Sequence, residues 1–396
     1  MYRILALDGG GVWSLIQVRA LIAIYGEATT GHEVLSDFDM VAGTSGGSIV
    51  LGGLVEDVPL GTLLGYFNDE GNRRAIFSPS HKLIDEVLAH TLQASPRYSA
   101  QAKLPAFERL LPCRGQLALS RAAAGLSAHR GGRDLHLLVT AFDYDSNRAC
   151  FFRSAPVSRS GWGSGEAATA ITLAQAIHAS TNAPVLYFDA PAQFDGGNYW
   201  DGGISGCNNP ALAAVTEAIG LGHAPQDIAV LSVGTATLAL PQPPAGAAPS
   251  PLFRAPSPTG LINDLKKLAG SILDDPPDAA TFHAYVLTGM DAGLSAGAVS
   301  RMVRLNPLIA PFRNAAGQWQ APGGMSLAQF DYFANQVPMD ALDPHQVACI
   351  ADYADYWLAD AAYNQPIRMN SATLTGEIGP MLFSAARAQW DLVKGP

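Results

Sequence analysis

The stretch MVAGTSGGSIV, residues 40–50, sets Ser45 among glycines directly after a short apolar run. Gly43-Thr44-Ser45-Gly46-Gly47 fits GxSxG, the spacing in which glycines two before and two after a serine relieve crowding at a strained strand-to-helix corner that exposes the hydroxyl. A serine placed this way can attack a carbonyl, but its hydroxyl is a weak nucleophile at neutral pH and needs a base. In a chain with 40 glycines the same spacing also suits a plain tight turn.

Two other glycine clusters could serve such a serine. Asp8-Gly9-Gly10-Gly11 stands after the apolar run YRILAL and before a helix-compatible run, where backbone amides can approach an anion and the helix dipole favours negative charge. It also reads as a structural turn, and less well as the start of a dinucleotide fingerprint, because Ser14 stands at the third glycine position. The best-placed acid is Asp201, in YWDGGISG, followed by Gly202 and Gly203. None of the nine histidines sits in a glycine-rich or strand-end context that marks a triad partner, although His223 and His283 follow Asp201 in triad order. A Ser-His-Asp esterase therefore stays open.

The elements that must hold these residues alternate along the chain. YRILAL (2–7) reads as a strand, and Val12, Leu15, Val18 and Ile22 share one helical face. FDMVAG followed by SGGSIVLGGLV repeats that unit, while DLHLLVTAFDY (134–144), ACFFRS (149–154) and DIAVLSVGTAT (227–237) read as further strands. This order predicts an α/β fold with a mainly parallel sheet and helices on both faces. An ordinary α/β-hydrolase places its elbow serine after several strands, whereas a single strand precedes Ser45 here. The organisation expected is a catalytic domain over 1–237, a proline-rich connector over 238–260, and a mostly helical extension over 261–396 packed on the core. In that extension helices are expected near 261–273, 278–290 and 344–362, with one strand-like run, SRMVRLNPL.

Composition narrows the function classes. Of 396 residues 48% are hydrophobic and 15% charged, enough for a large core. A net charge of −10 argues against nucleic acid as a partner, and the pairs Arg73/Arg74 and Lys266/Lys267 read as solvated surface. Cys113, Cys150, Cys207 and Cys349 lack CxxC spacing, so they read as reduced thiols. DYDSNR (143–148) begins like a calcium loop, but Arg148 replaces its glycine and Ser154 its final glutamate. With no HExxH either, neither a metal nor a cofactor is expected. The chain holds no apolar run of membrane-spanning length and opens without a signal-peptide pattern, so a cytoplasmic protein is expected.

The three clusters in this order resemble the patatin-like phospholipases, and AIHASTNAPVLYF (176–188) and VLSVGTAT (230–237) add to the resemblance. It covers roughly residues 1–237 and implies a three-layer patatin-like sandwich and an acyl hydrolase with a Ser-Asp dyad. On that resemblance Ser45 is the nucleophile and Asp201 its base. Gly9, Gly10, Gly11 and Gly46 would form the oxyanion hole, supported by Asp8, Gly43, Gly47, Gly202 and Gly203. The substrate would be a phospholipid or related acyl ester, with peripheral membrane contact through apolar residues such as Trp13 or the helices beyond the connector. One departure stands out: the family usually continues its glycine loop with an arginine and a glycine, and this chain has Trp13 and Ser14. That departure keeps a catalytically silent binding or regulatory protein as the alternative.

Overall fold

The structure, a computed structural model of the chain, describes residues 1–80, 96–155, 170–184, 187–255, 259–260, 277–289, 300–314 and 316–395. The helix expected near 261–273, Lys266/Lys267, His81 and His90 lie outside them.

The main sheet has eight strands, ordered β5-β6-β3-β2-β1-β7-β9 with β4 added on β3. β1 (Tyr2–Leu7), β2 (Met40–Gly43), β3 (His136–Asp143), β7 (Ile228–Val233) and β9 (Met302–Leu305) run parallel. β4 (Arg148–Arg153), β5 (Ala192–Phe194) and β6 (Gly197–Asp201) pair antiparallel at one side. Parallel strands covered on both faces must be apolar throughout, which is why MVAG and IAVLSV are buried at every position.

Alternation along each strand divides the core into two layers. Leu5, Leu7, Val41, Val139, Leu231 and Val233 face α1 (Leu15–Tyr25), α2 (Gly46–Glu56) and α5 (Leu173–Ser180). Ile4, Ala6, Met40, Ala42, Leu138 and Val230 face α6 (Ala211–Gly220) and the helix over 277–287. The result is the expected α/β three-layer arrangement. Two more helices on the α2 side matter below: α3 (Glu70–Ile76) and α4 (Ala100–Leu110).

The C-terminal part is largely helical, with α7 (Leu327–Gln336), α8 (Pro344–Leu358) and α9 (Phe383–Lys394). It also reaches into the main sheet. The run SRMVRLNPL forms β9, which pairs β7, and β10 (Pro307–Ile309), which pairs β8 (Thr237–Leu238) in a small separate sheet. Residues 239–255, rich in proline, hold no helix or strand.

Candidate active site

Ser45 sits on the sharp corner between β2 and α2, with φ 49° and ψ −124°. A side chain in that region costs about 1–3 kcal/mol and persists only where its surroundings fix it. Here they do so closely. A Cβ at Gly46 would lie 2.8 Å from the Gly11 nitrogen, and one at Gly47 2.6 Å from the Asp8 carbonyl oxygen, so the corner presses directly on the loop after β1. Gly43 gives the corner the same clearance against Ser48. The Ser45 amide donates to Ser180 Oγ at 2.8 Å, and Ser48 Oγ donates to the Ser45 carbonyl at 2.6 Å.

Asp201 reaches Ser45 because β2 and β6 share one edge of β3 and end head to head. Gly43, the last residue of β2, pairs Val139; Asp201, the last of β6, pairs Ala141 from the opposite direction. The other edge of β3 is occupied by β4 along its length. Asp201 is buried; its amide donates to the Asn182 carbonyl at 3.0 Å, and its Oδ1 accepts the Gly203 amide at 2.8 Å. Burial raises its pKa to about 6, against the opposing pull of the Gly203 amide, the Ser45 hydroxyl and the Lys103 ammonium, all of which favour the charged form. Gly202 is required by the close approach of this turn to Thr140, whose carbonyl oxygen would lie 2.7 Å from an added Cβ.

The glycine loop is fixed from several sides. The Asp8 amide donates to the Val233 carbonyl at 3.1 Å, and Gln17 Nε2 donates to the carbonyls of both Asp8 and Val233. Of the three glycine amides expected to face the site, that of Gly9 donates to the Asn208 carbonyl at 2.9 Å. Val12 donates to Met339 O and Trp13 to Gly10 O. Gly10 and Gly11 are left as the loop amides with no backbone acceptor among the described residues. The Gly46 amide, at the first position of α2, likewise has no intrahelical partner.

Trp13 does not meet the expectation of a membrane contact. Only 9% exposed, it packs on Phe333 with ring centroids 5.1 Å apart and donates its indole N–H to Pro338 O at 3.0 Å. It anchors the loop to the segment after α7. The two histidines in triad order lie elsewhere: His223 stacks on Tyr2 at 3.9 Å, at the strand end opposite Ser45, and His283 is on the helix over 277–287 in the α6 layer. His178 on α5 is buried and its pKa is pushed down to about 2, first by burial and then by Lys103, so it is neutral.

Ser45, Gly46, Gly11 and Asp201 line one cleft that opens to solvent. Its other walls are mainly apolar, including Ile49, Phe67, Ile76, Phe77, Phe188 and Met339. No group of three or more potential metal ligands occurs among the described residues. Several residues at the site went unnoticed in the sequence. Ser180 and Asn182 fall within the small-residue segment 176–188, which could have pointed to them. Lys103, Asn208 and Arg304 carry no local signal.

The sequence model of the patatin-like phospholipases matches residues 5–215. Over 239 residues the chain is 30% identical to a cGAMP-activated phospholipase of Pseudomonas aeruginosa, a match covering 60% of this chain and 63% of that protein's length. The crystal structure of VipD from Legionella pneumophila overlaps 89% of this chain and 67% of its own, with a TM-score of 0.35 and 10% identity, too loosely to carry structural detail. From the family match over both glycine clusters, Ser45 and Asp201, the chain belongs to the patatin-like phospholipase family.

Proposed function

We propose that the chain hydrolyses carboxylic esters of phospholipids or related acyl lipids through Ser45 and Asp201. The observation that carries this reading is the strained serine beside a buried carboxylate in one apolar cleft. Asp201 takes the Ser45 proton as Oγ adds to the ester carbonyl carbon. The amides of Gly10, Gly11 and Gly46 receive the negative oxygen that forms, while Gly9 holds the loop through Asn208. Collapse breaks the ester C–O bond, and Asp201 returns the proton to the leaving alcohol. Water, giving a proton to Asp201, then attacks the acyl-enzyme; the fatty acid leaves and Ser45 regains its proton. A carboxylate with a pKa near 6 is ionised at neutral pH yet more basic than an ordinary aspartate. The apolar lining of the cleft suits the acyl chain of such a substrate.

The similarity to a cGAMP-activated phospholipase extends the proposal to control by a cyclic dinucleotide. A panel of acyl esters varied in head group and chain length, assayed with wild type and Ser45→Ala, with and without cGAMP, tests both parts. Turnover should drop on the order of a million-fold in Ser45→Ala, and a fluorophosphonate should label Ser45 alone. Labelling of another serine in an active sample would remove Ser45 as the nucleophile, and an unchanged rate with cGAMP would remove the proposed control.

A further inference from the structure

Lys103 on α4 is fully buried beside the reacting pair, and no carboxylate lies within ion-pair distance of it among the described residues. An ammonium taken out of water costs several kcal/mol unless its surroundings compensate. What surrounds this one is specific. Nζ donates to Asn182 Oδ1 at 2.8 Å and lies 3.7 Å from the centre of the Phe188 ring. Asn182 in turn donates through Nδ2 to Ala190 O at 2.7 Å and accepts the Asp201 amide on its own carbonyl at 3.0 Å. A methionine would fill the same space at less cost, so the amine has a further use.

We propose that Lys103 is a positioning residue for Asp201, acting through the Asn182 side chain that it bonds and through its own buried positive charge. The proposal rests on the reading of Asp201 as the base. Through Asn182 the lysine fixes the turn that receives the end of β6. Through space its charge favours the ionised carboxyl, the form that can take the Ser45 proton. Among the described residues the charged or titratable groups around the lysine are few. Asp201 faces it from β6 and His178 from α5, the latter neutral. On α3, Arg73 is spent on the carbonyls of Phe67, Asn68 and Leu342, and Arg74 on Glu70. Asp201 itself faces Lys103, the Ser45 hydroxyl and the Gly203 amide. Burial lowers the Lys103 pKa well below the usual lysine value, and the nearby Asp201 carboxylate opposes that shift in part.

The test reads Asp201 directly. In full-length protein carrying 13C-labelled aspartate, the Asp201 carboxyl signal, assigned by its loss in Asp201→Asn, is titrated in wild type, Lys103→Met, Lys103→Gln and Lys103→Arg. Lys103→Gln keeps a donor for Asn182 without the charge, and it also serves if Lys103→Met does not fold. The midpoint should move up by about one pH unit in both uncharged variants and stay within about half a pH unit in Lys103→Arg. In parallel, kcat/KM on a p-nitrophenyl ester below that midpoint should fall about tenfold for each pH unit by which the midpoint rises, with the acidic limb moving in step. A midpoint unchanged in folded Lys103→Gln would overturn the proposal. Loss of the proposed reaction itself would show differently, as a wild-type protein without ester turnover whose Asp201 midpoint can still be compared with that of the variants.

Discussion

Arg304 holds Asp8 with both terminal nitrogens, Nη1 to Oδ1 at 3.0 Å and Nη2 to Oδ2 at 2.6 Å, while Nη1 also donates to Ser232 Oγ at 2.7 Å. The two side chains are 2% and 4% exposed, so this pair is shielded from solvent. It ties the first residue of the glycine loop to a strand contributed from far along the chain. Removing the arginine leaves a buried carboxylate uncompensated, and Arg304→Met should cost about 3–5 kcal/mol of folding stability. Urea unfolding measures it. Adding Asp8→Asn should recover part of the loss, and a single variant within about 1 kcal/mol of wild type would show the pair to be dispensable.

Asp201 makes pH dependence predictable in sign. The proposed reaction needs the ionised carboxyl, so kcat/KM should rise through a midpoint near 6 and need no histidine transition. Stability runs the other way. Because the folded pKa lies above the ordinary 3.8, the native state binds the extra proton between those values, and the favourable contribution present below pH 4 is lost as pH rises through about 6. Asp201→Asn should therefore be inactive yet more stable than wild type at pH 7.5, by on the order of 2–3 kcal/mol. Equal stability of the two proteins at pH 4 and pH 7.5 would contradict the buried, raised carboxyl.

Gly10 lies against Thr235, and a Cβ there would run into the threonine side chain, 2.5 Å from its own Cβ. Gly10→Ala should reduce turnover about a hundred- to a thousand-fold by moving an amide of the proposed oxyanion hole. It should also lower thermal stability, because the neighbour is buried and also donates from its hydroxyl to Gly9 O at 2.7 Å. Pairing Gly10→Ala with Thr235→Gly, which also takes away the Thr235 Cβ, removes the clash. The double variant should regain stability, and recovery of turnover alongside it would show that crowding alone was at fault.

His223 and His283 are too remote to act on Ser45, and the buried His178 is neutral. Single alanine replacements of His223 and His283 should leave kcat on a chromogenic ester within about threefold, far from the roughly ten-thousand-fold loss of a triad member. A folded His223→Ala protein as inactive as Ser45→Ala would restore the triad reading.

Much of the site was legible because its requirements are local. A strained corner needs glycines at fixed offsets from the serine, so Gly43, Ser45, Gly46 and Gly47 could be read directly, as could the strand that delivers them. The same holds for Asp201 with Gly202 and Gly203, and for the alternating strands and helices that predict a mainly parallel sheet. The order of these clusters sufficed for the family. Hydrogen-bond assignments were not legible in this way. That the Gly9 amide belongs to Asn208, that Trp13 is buried against Pro338, and that Arg304 answers Asp8 all depend on segments far apart in sequence. Nothing in the local pattern around Lys103 distinguishes it from a surface lysine; only the packing of α4 against α5 and the turn at Asn182 buries it. Local sterics fix which residues can make a corner or a strand, and these the sequence determined by itself. Which buried polar groups become partners is decided by desolvation once distant elements close over them, and for this protein only the tertiary structure specifies that.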